Sequence, residues 1–190
     1  MNARHLASDE TLAGFAAGRL DEGMSLVVAA HLEINAASAK ALREIEAVGG
    51  SVLAQGEAVP MLTSADDALA RLEREAEGTP VPVRAIESGL PRILQPYDLG
   101  RWHPIGRGVA MRRVHVPGAQ ARVFMLRAAP GTWLPEHPWF GRGDFDEANE
   151  NHEHHPHVDP VEGCTCIVAL TGEVKFRGWL GRLLQPLVRL

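Results

Sequence analysis

Residues 109–127, VAMRRVHVPGAQARVFMLR, decide the fold class of the second half of the chain. On both sides of Pro117-Gly118, apolar residues either alternate with polar residues or follow one another without interruption. This pattern is typical of strands joined by a turn. Another segment of this kind is Cys164–Leu170, CTCIVAL. Several short strands separated by glycine and proline turns predict a small β-sandwich or barrel.

The residues before this stretch follow the period of helices instead. Ser8 is a suitable N-cap for a first helix, because the acids after it favour a helix N-terminus. Apolar stripes predict two more helices over about 24–32 and 38–48, the latter stopping at Gly49-Gly50. A capping box at Ser64 predicts a fourth helix to about residue 77.

Prolines and a change of charge separate the two halves. Residues 1–80 carry a net charge of −7 and residues 81–142 a net charge of +6, and the change falls in a proline cluster: Pro80, Pro82, Pro91 and Pro96. Proline disfavours an ordinary helix there. The predicted class is therefore α+β, with about four helices over 1–78, a linker over 79–98 and a small β-sandwich or cupin-like barrel over 99–190.

Composition excludes several classes of protein. The 190 residues are 45% hydrophobic and 5% aromatic with a net charge of −5, which disfavours a disordered chain and nucleic-acid binding. No apolar run approaches the roughly 18 residues of a membrane span, so a cytoplasmic protein is expected. Cys164 and Cys166 cannot form a disulfide framework and are predicted to be buried, unreactive thiols.

A histidine-rich run is the main candidate for metal chemistry. His152 and His154 would share one face of a strand, and Glu136-His137 could supply further ligands. The residues alone favour a solvated loop slightly over a metal site. No nucleophile elbow, P-loop or dinucleotide fingerprint is present, and no catalytic residue is predicted.

An ordered set of short matches resembles the ChrR-type anti-sigma factors from about residue 8 to the C-terminus. The matching segments are Ser8-Asp9, Phe15-Ala16-Ala17-Gly18, Ser25–Ala29, His31-Leu32, Ala47–Ser51, Pro135-Glu136-His137, Phe140–Asp144, Glu153-His154, Cys164-x-Cys166 and Leu184–Leu190. The resemblance implies an N-terminal helical domain that inhibits an extracytoplasmic-function (group IV) sigma factor. It also implies a C-terminal cupin domain that responds to singlet oxygen, with one zinc ion in each domain.

The zinc motif implied for the helical domain is degenerate in this sequence. Its histidine and its H-x-x-x-C-x-x-C set fall on Leu6, His31, Asn35 and Ser38, so that only His31 is kept. Asn and Ser supply no thiolate, and no zinc is expected here. Leu6 is predicted to fill apolar space where a ligand would lie.

The implied cupin is shortened as well. His137 matches the first cupin motif but continues into Pro138, and His154 matches the histidine of the second motif. Together with His152 and Glu136 they are the predicted ligands of a zinc ion in the C-terminal domain, and His155 and His157 are alternatives to His152 as the substitute ligand.

The leading hypothesis is a non-enzymatic regulator that binds a sigma factor, with candidate contacts at Leu62, Leu69 and Leu72 on the fourth helix. The acidic helical domain would complement a basic partner. The alternatives are a cupin-type metal-dependent enzyme and a metal or small-molecule sensor, each with an accessory helical domain.

Overall fold

The computed structural model of the chain describes residues 5–60, 62–76, 87–106, 108–132, 141–147 and 158–172. Within them, four α-helices precede one antiparallel sheet of five strands, which confirms the predicted α+β class. The helices are α1 (Asp9–Ala16), α2 (Glu22–Ile34), α3 (Ala36–Ala54) and α4 (Ala65–Ala76). The strands are β1 (Asp98–Leu99), β2 (His103–Gly106), β3 (Val109–His115), β4 (Arg122–Ala128) and β5 (Cys164–Leu170). A second sheet or a closed barrel stays a prediction.

Local capping sets the start of two helices as predicted. The Ser8 hydroxyl accepts a hydrogen bond from the Thr11 N–H at 3.2 Å, in front of α1. The Ser64 hydroxyl accepts from the Asp67 N–H at 3.1 Å and donates to the Asp67 carboxylate at 2.7 Å, in front of α4. Each cap satisfies a backbone donor that the first helical turn leaves unpaired.

The predicted end of the third helix at Gly49-Gly50 is wrong, because α3 continues to Ala54. Neither glycine adopts the positive φ angle of a helix-ending glycine. Each glycine lowers the stability of a helix interior by about 1 kcal/mol relative to alanine. The helix-forming residues on both sides compensate for this loss.

The sheet has the order β1-β3-β4-β5, and β2 also pairs with β3. In this register Met125 of β4 lies between Arg112 of β3 and Ile167 of β5. Val114, Val123 and Met125 therefore point to one face, where they form a core with Leu26 of α2 and Leu94. The long strands match the predicted ones, whereas β1 and β2 were too short to be recognised from the sequence.

Helix α2 belongs to two cores at once. Leu26 packs against the sheet, and Val28 packs with Leu12 of α1 in a second core that α3 completes. The N-cap of α2, Asp21, accepts hydrogen bonds from the backbone N–H groups of Gln120 at 2.7 Å and Ala121 at 3.2 Å. The helices and the sheet are thus packed together through α2.

The second half of the predicted linker is part of this packing. Residues 79–86 lie outside the described residues, but a short 3-10 helix at Arg92–Leu94 packs on α2, and the Leu94 side chain is fully buried. The Glu33 carboxylate of α2 accepts from the Arg92 N–H at 2.6 Å and from the Ile93 N–H at 3.0 Å. Residues 87–98 are therefore structured, while the division into domains at 1–78, 79–98 and 99–190 stays a prediction.

Within the described residues, no helix combines the length and the apolar character needed to cross a membrane.

Candidate functional site

The corner between α2 and α3 brings together the three residues that the degenerate zinc motif singles out. The His31 Nε2 atom lies 2.8 Å from the Ser38 Oγ atom. The Asn35 side-chain oxygen accepts from the N–H groups of Ala37 at 3.0 Å and Ser38 at 3.1 Å, so that Asn35 caps α3. His31, Asn35 and Ser38 are all buried. The corner is closed by hydrogen bonds between uncharged side chains and the helix backbone.

Burial also sets the charge state of the corner. Removal from water lowers the pKa of His31, because a protonated ring loses its hydration. The nearby Asp144 carboxylate favours the protonated ring, but its effect is smaller than that of burial. An uncharged imidazole is therefore favoured at neutral pH.

A segment from the C-terminal half covers this corner. We call residues 141–147, GRGDFDE, the strap. The Gly143 carbonyl accepts a hydrogen bond from the Asn35 amide at 2.9 Å, and the Phe145 ring lies 4.9 Å from the His31 ring, centroid to centroid. Phe145 also packs against the core that α1, α2 and α3 share. The strap joins parts of the chain that are more than a hundred residues apart.

The same strap holds the segment that precedes α1. The Asp144 carboxylate accepts from the His5 N–H at 3.1 Å and lies 3.4 Å from the His5 Nδ1 atom. The Phe145 N–H donates to the His5 carbonyl at 3.0 Å. The Ser8 hydroxyl lies 3.0 and 3.1 Å from the two carboxylate oxygens of Glu147.

The prediction that Leu6 fills apolar space beside the corner is wrong. The Leu6 side chain is 48% exposed, whereas Ala7 beside it is buried in the helical core. The strap, through Phe145, provides the apolar contact that was expected of Leu6.

The donors at the corner do not fit a zinc ion. Zinc in structural sites takes four ligands from thiolate, imidazole and carboxylate groups, and His31 is the only such side chain among the motif positions. Its Nε2 atom is already engaged with Ser38. Within the described part of the chain, no three His, Cys, Asp or Glu side chains are arranged to bind a metal ion.

Several large apolar side chains in the N-terminal half of the chain are exposed. The predicted contact residues Leu62, Leu69 and Leu72 are all exposed, with Leu69 and Leu72 on one face of α4. Among the described residues, no other helix or strand packs along α4.

Further exposed apolar residues are on the C-terminal half of α3 and in the chain after it, and we group them with Leu62, Leu69 and Leu72 as the exposed apolar surface. Val48, Val52, Leu53 and Val59 are between 67% and 86% exposed. Sequence reasoning missed these residues because it ended the helix at Gly49, although the i, i+4 spacing of Val48 and Val52 is itself a signal for one helix face.

The predicted metal ligands of the C-terminal half, Glu136, His137, His152 and His154, lie outside the described residues. So does Val174–Arg177, which the sequence allows as a further strand.

The two thiols are on one face of β5 and are free of disulfide bonds. Burial raises the pKa of Cys164, and it raises the pKa of Cys166 to about 12. Both side chains are half-buried, not fully buried as predicted. Since the thiolate is the reactive form, the raised pKa values make both residues poor nucleophiles at neutral pH.

Comparison with known proteins gives the same answer in sequence and in structure. The chain is 29% identical to the anti-sigma-E factor ChrR of Cereibacter sphaeroides over 214 aligned residues, covering all of both proteins. It also matches the crystal structure of Rhodobacter sphaeroides SigE in complex with the anti-sigma ChrR. That match has a TM-score of 0.65 and 25% identity, and it covers 89% of this chain and 99% of the other. No protein-family profile matches the chain.

The arrangement of four N-terminal helices followed by an antiparallel sheet is thus similar to the structure found in the SigE–ChrR complex. The resemblance to the ChrR-type anti-sigma factors is confirmed over the whole chain.

Proposed function

We propose that this chain is a regulatory protein that binds and inhibits an extracytoplasmic-function (group IV) sigma factor. The observation that carries the proposal is the full-length similarity to ChrR, which has been crystallised with SigE. In this proposal the chain inhibits its partner by binding to it and does not act as an enzyme.

The exposed apolar surface is the proposed contact with the sigma factor. Several leucines and valines of α3 and α4 are more than half exposed. A partner that removes their apolar surface from water stabilises the complex. The net charge of −7 over residues 1–80 supports the same partner, since a protein that binds promoter DNA carries a basic surface. Opposite charges speed the encounter, and the apolar residues then provide the affinity.

The test is binding of the full chain to candidate sigma factors of this class. Wild-type protein is expected to co-purify with its partner and to block transcription from the partner's promoter. Leu69→Ala combined with Leu72→Ala should weaken affinity by at least about tenfold. The matched control is Arg74→Ala, an exposed residue of α4 on the side opposite the leucines. A wild-type chain that binds none of these sigma factors would refute the proposal.

For the C-terminal half we propose a cupin-like domain that relieves inhibition under oxidant stress, including singlet oxygen. Its zinc ligands would come from Glu136, His137, His152 and His154, which are suitable donors for zinc. The raised pKa values of Cys164 and Cys166 favour a sensor that does not depend on a thiolate.

Metal analysis of purified protein tests this part. Zinc is expected in wild-type protein and in a His115→Ala control, and it should be lost in His154→Ala. Zinc that stays bound after His154→Ala would show that these ligands are wrong.

A further inference from the structure

The strap lies against three elements of the helical region at once. Its backbone and side chains contact His5 before α1, His31 near the end of α2, and Asn35 at the cap of α3. The segment before α1 and the corner between α2 and α3 are therefore both held by one seven-residue segment of the C-terminal half.

These contacts satisfy groups that have little access to water. Asn35 is 4% exposed and its amide donates to the Gly143 carbonyl of the strap, so no water replaces that partner while the corner stays closed. Leaving such a group unpaired is more costly than losing an exposed hydrogen bond. The corner is consequently most stable when the strap is docked.

Helix α3 connects the corner to the exposed apolar surface. Its first turn contains Ser38 and is capped by Asn35, while Val48 and Val52 near its other end are exposed. A helix of 19 residues is about 28 Å long. A small tilt at the strapped end therefore displaces the exposed end by a larger distance.

We propose that the strap is an internal switch for the helical region. When it is docked, α3 is held in the orientation that binds the partner, and when it undocks, the corner loosens and affinity falls. The C-terminal half of the chain would act on the helices through this contact. The last step rests on the proposed function, whereas the docking itself does not.

Hydrogen exchange in the free, full-length protein tests the docking. Phe145→Ala removes the ring that contacts His31, and Glu147→Ala removes only the exposed contacts with Ser8. Arg142→Ala, an exposed substitution within the same strap, is the matched control. Exchange is expected to become about tenfold faster for amides of residues 5–12 and 35–42 in Phe145→Ala, and faster for 5–12 alone in Glu147→Ala.

Amides of the β3–β4 ladder should exchange at wild-type rates in all three variants. Unchanged rates at 5–12 and 35–42 would overturn the proposal, because the strap would then carry none of the corner's stability. Equally faster exchange of amides throughout the protein would overturn the proposal as well, since the substitution would then destabilise the whole fold and not the corner alone.

Affinity for the sigma factor tests the second step. Phe145→Ala should bind at least about fivefold more weakly than Arg142→Ala, because the loosened helices must be reordered on binding. Faster exchange with unchanged affinity would overturn the switch. If wild-type protein binds no sigma factor, the proposed function fails, and the exchange experiment still decides whether the strap holds the corner.

Discussion

Helices α2 and α4 are similar in length but opposite in their surroundings. α2 is mostly apolar, and it buries Leu26 against the sheet and Val28 against α1. α4 is strongly charged, and it leaves Leu69 and Leu72 exposed. The hydrophobic residues of α2 are buried within the protein, while those of α4 remain exposed and available to a partner. The contrast separates residues that hold this protein together from residues that suit a partner.

The largest effect on stability is expected at Leu26, which is 2% exposed in the core between α2 and the sheet. Leu26→Ala should lower the free energy of unfolding by about 2–5 kcal/mol, because it removes buried contacts and leaves a cavity. Urea unfolding of the full chain measures the change. A loss below about 1 kcal/mol would mean that α2 does not join the helices to the sheet.

The next effect is expected at the polar corner. Ser38→Ala removes the oxygen beside the His31 Nε2 atom, and a buried ring nitrogen without its partner costs about 1–3 kcal/mol. Unfolding should remain cooperative, with a lower midpoint. Ser51→Ala, which changes an exposed hydroxyl of the same helix, is the control. Equal stability of the two variants would contradict the role of the corner.

A smaller, pH-dependent effect is expected at Asp21. Hydrogen bonds from Gln120 above all, and also from Ala121 and Gly23, lower the pKa of this carboxyl below its usual value of 3.8. Its stabilising contribution is therefore complete above the unfolded-state pKa and is lost as the pH falls through the lower folded-state pKa.

Asp21→Ala should cost about 1 kcal/mol at pH 7, as loss of an N-cap does. The difference between wild type and variant should shrink as the pH falls below about 4. Unfolding by urea over a pH series measures both changes, with Glu46→Ala as an exposed control. A difference that grows in acid would contradict the sign of the pKa shift.

The smallest effect is expected on α4. Leu69→Ala and Leu72→Ala should each change the free energy of unfolding by less than about 0.5 kcal/mol, since their side chains are 58% and 62% exposed. The same variants are expected to weaken sigma-factor binding. Large destabilisation of the isolated chain would show that α4 packs within the fold and would remove the contrast with α2.

Signals within a few residues of each other were sufficient for much of the fold. Ser8 and Ser64 marked helix starts because a cap depends on residues three positions away. The strands Val109–His115 and Cys164–Leu170 were visible in their apolar pattern. Gly49-Gly50 misled the prediction, because a glycine ends a helix only when the chain takes a positive φ there.

The candidate site was harder to predict, because its contacts are distant in sequence. Asn35 and Ser38 were recognised as replacements for thiolate ligands, but nothing near them indicates that Gly143 and Phe145 complete the corner. Leu6 was misplaced for the same reason, since the sequence does not show that Phe145 occupies the neighbouring apolar position. The exposure of Leu69 and Leu72 was easier to anticipate, because it follows from the charged composition of α4 itself, whereas Leu62 was assigned to this helix but precedes it.

The position of the strap also orders events during translation. His31 and Ser38 are synthesised more than a hundred residues before Gly143 and Phe145. At 5–20 residues per second this interval lasts about 5–20 s. The nascent helices must spend that time without their closing contacts, so early chains are exposed to proteases and chaperones until the second half has been synthesised.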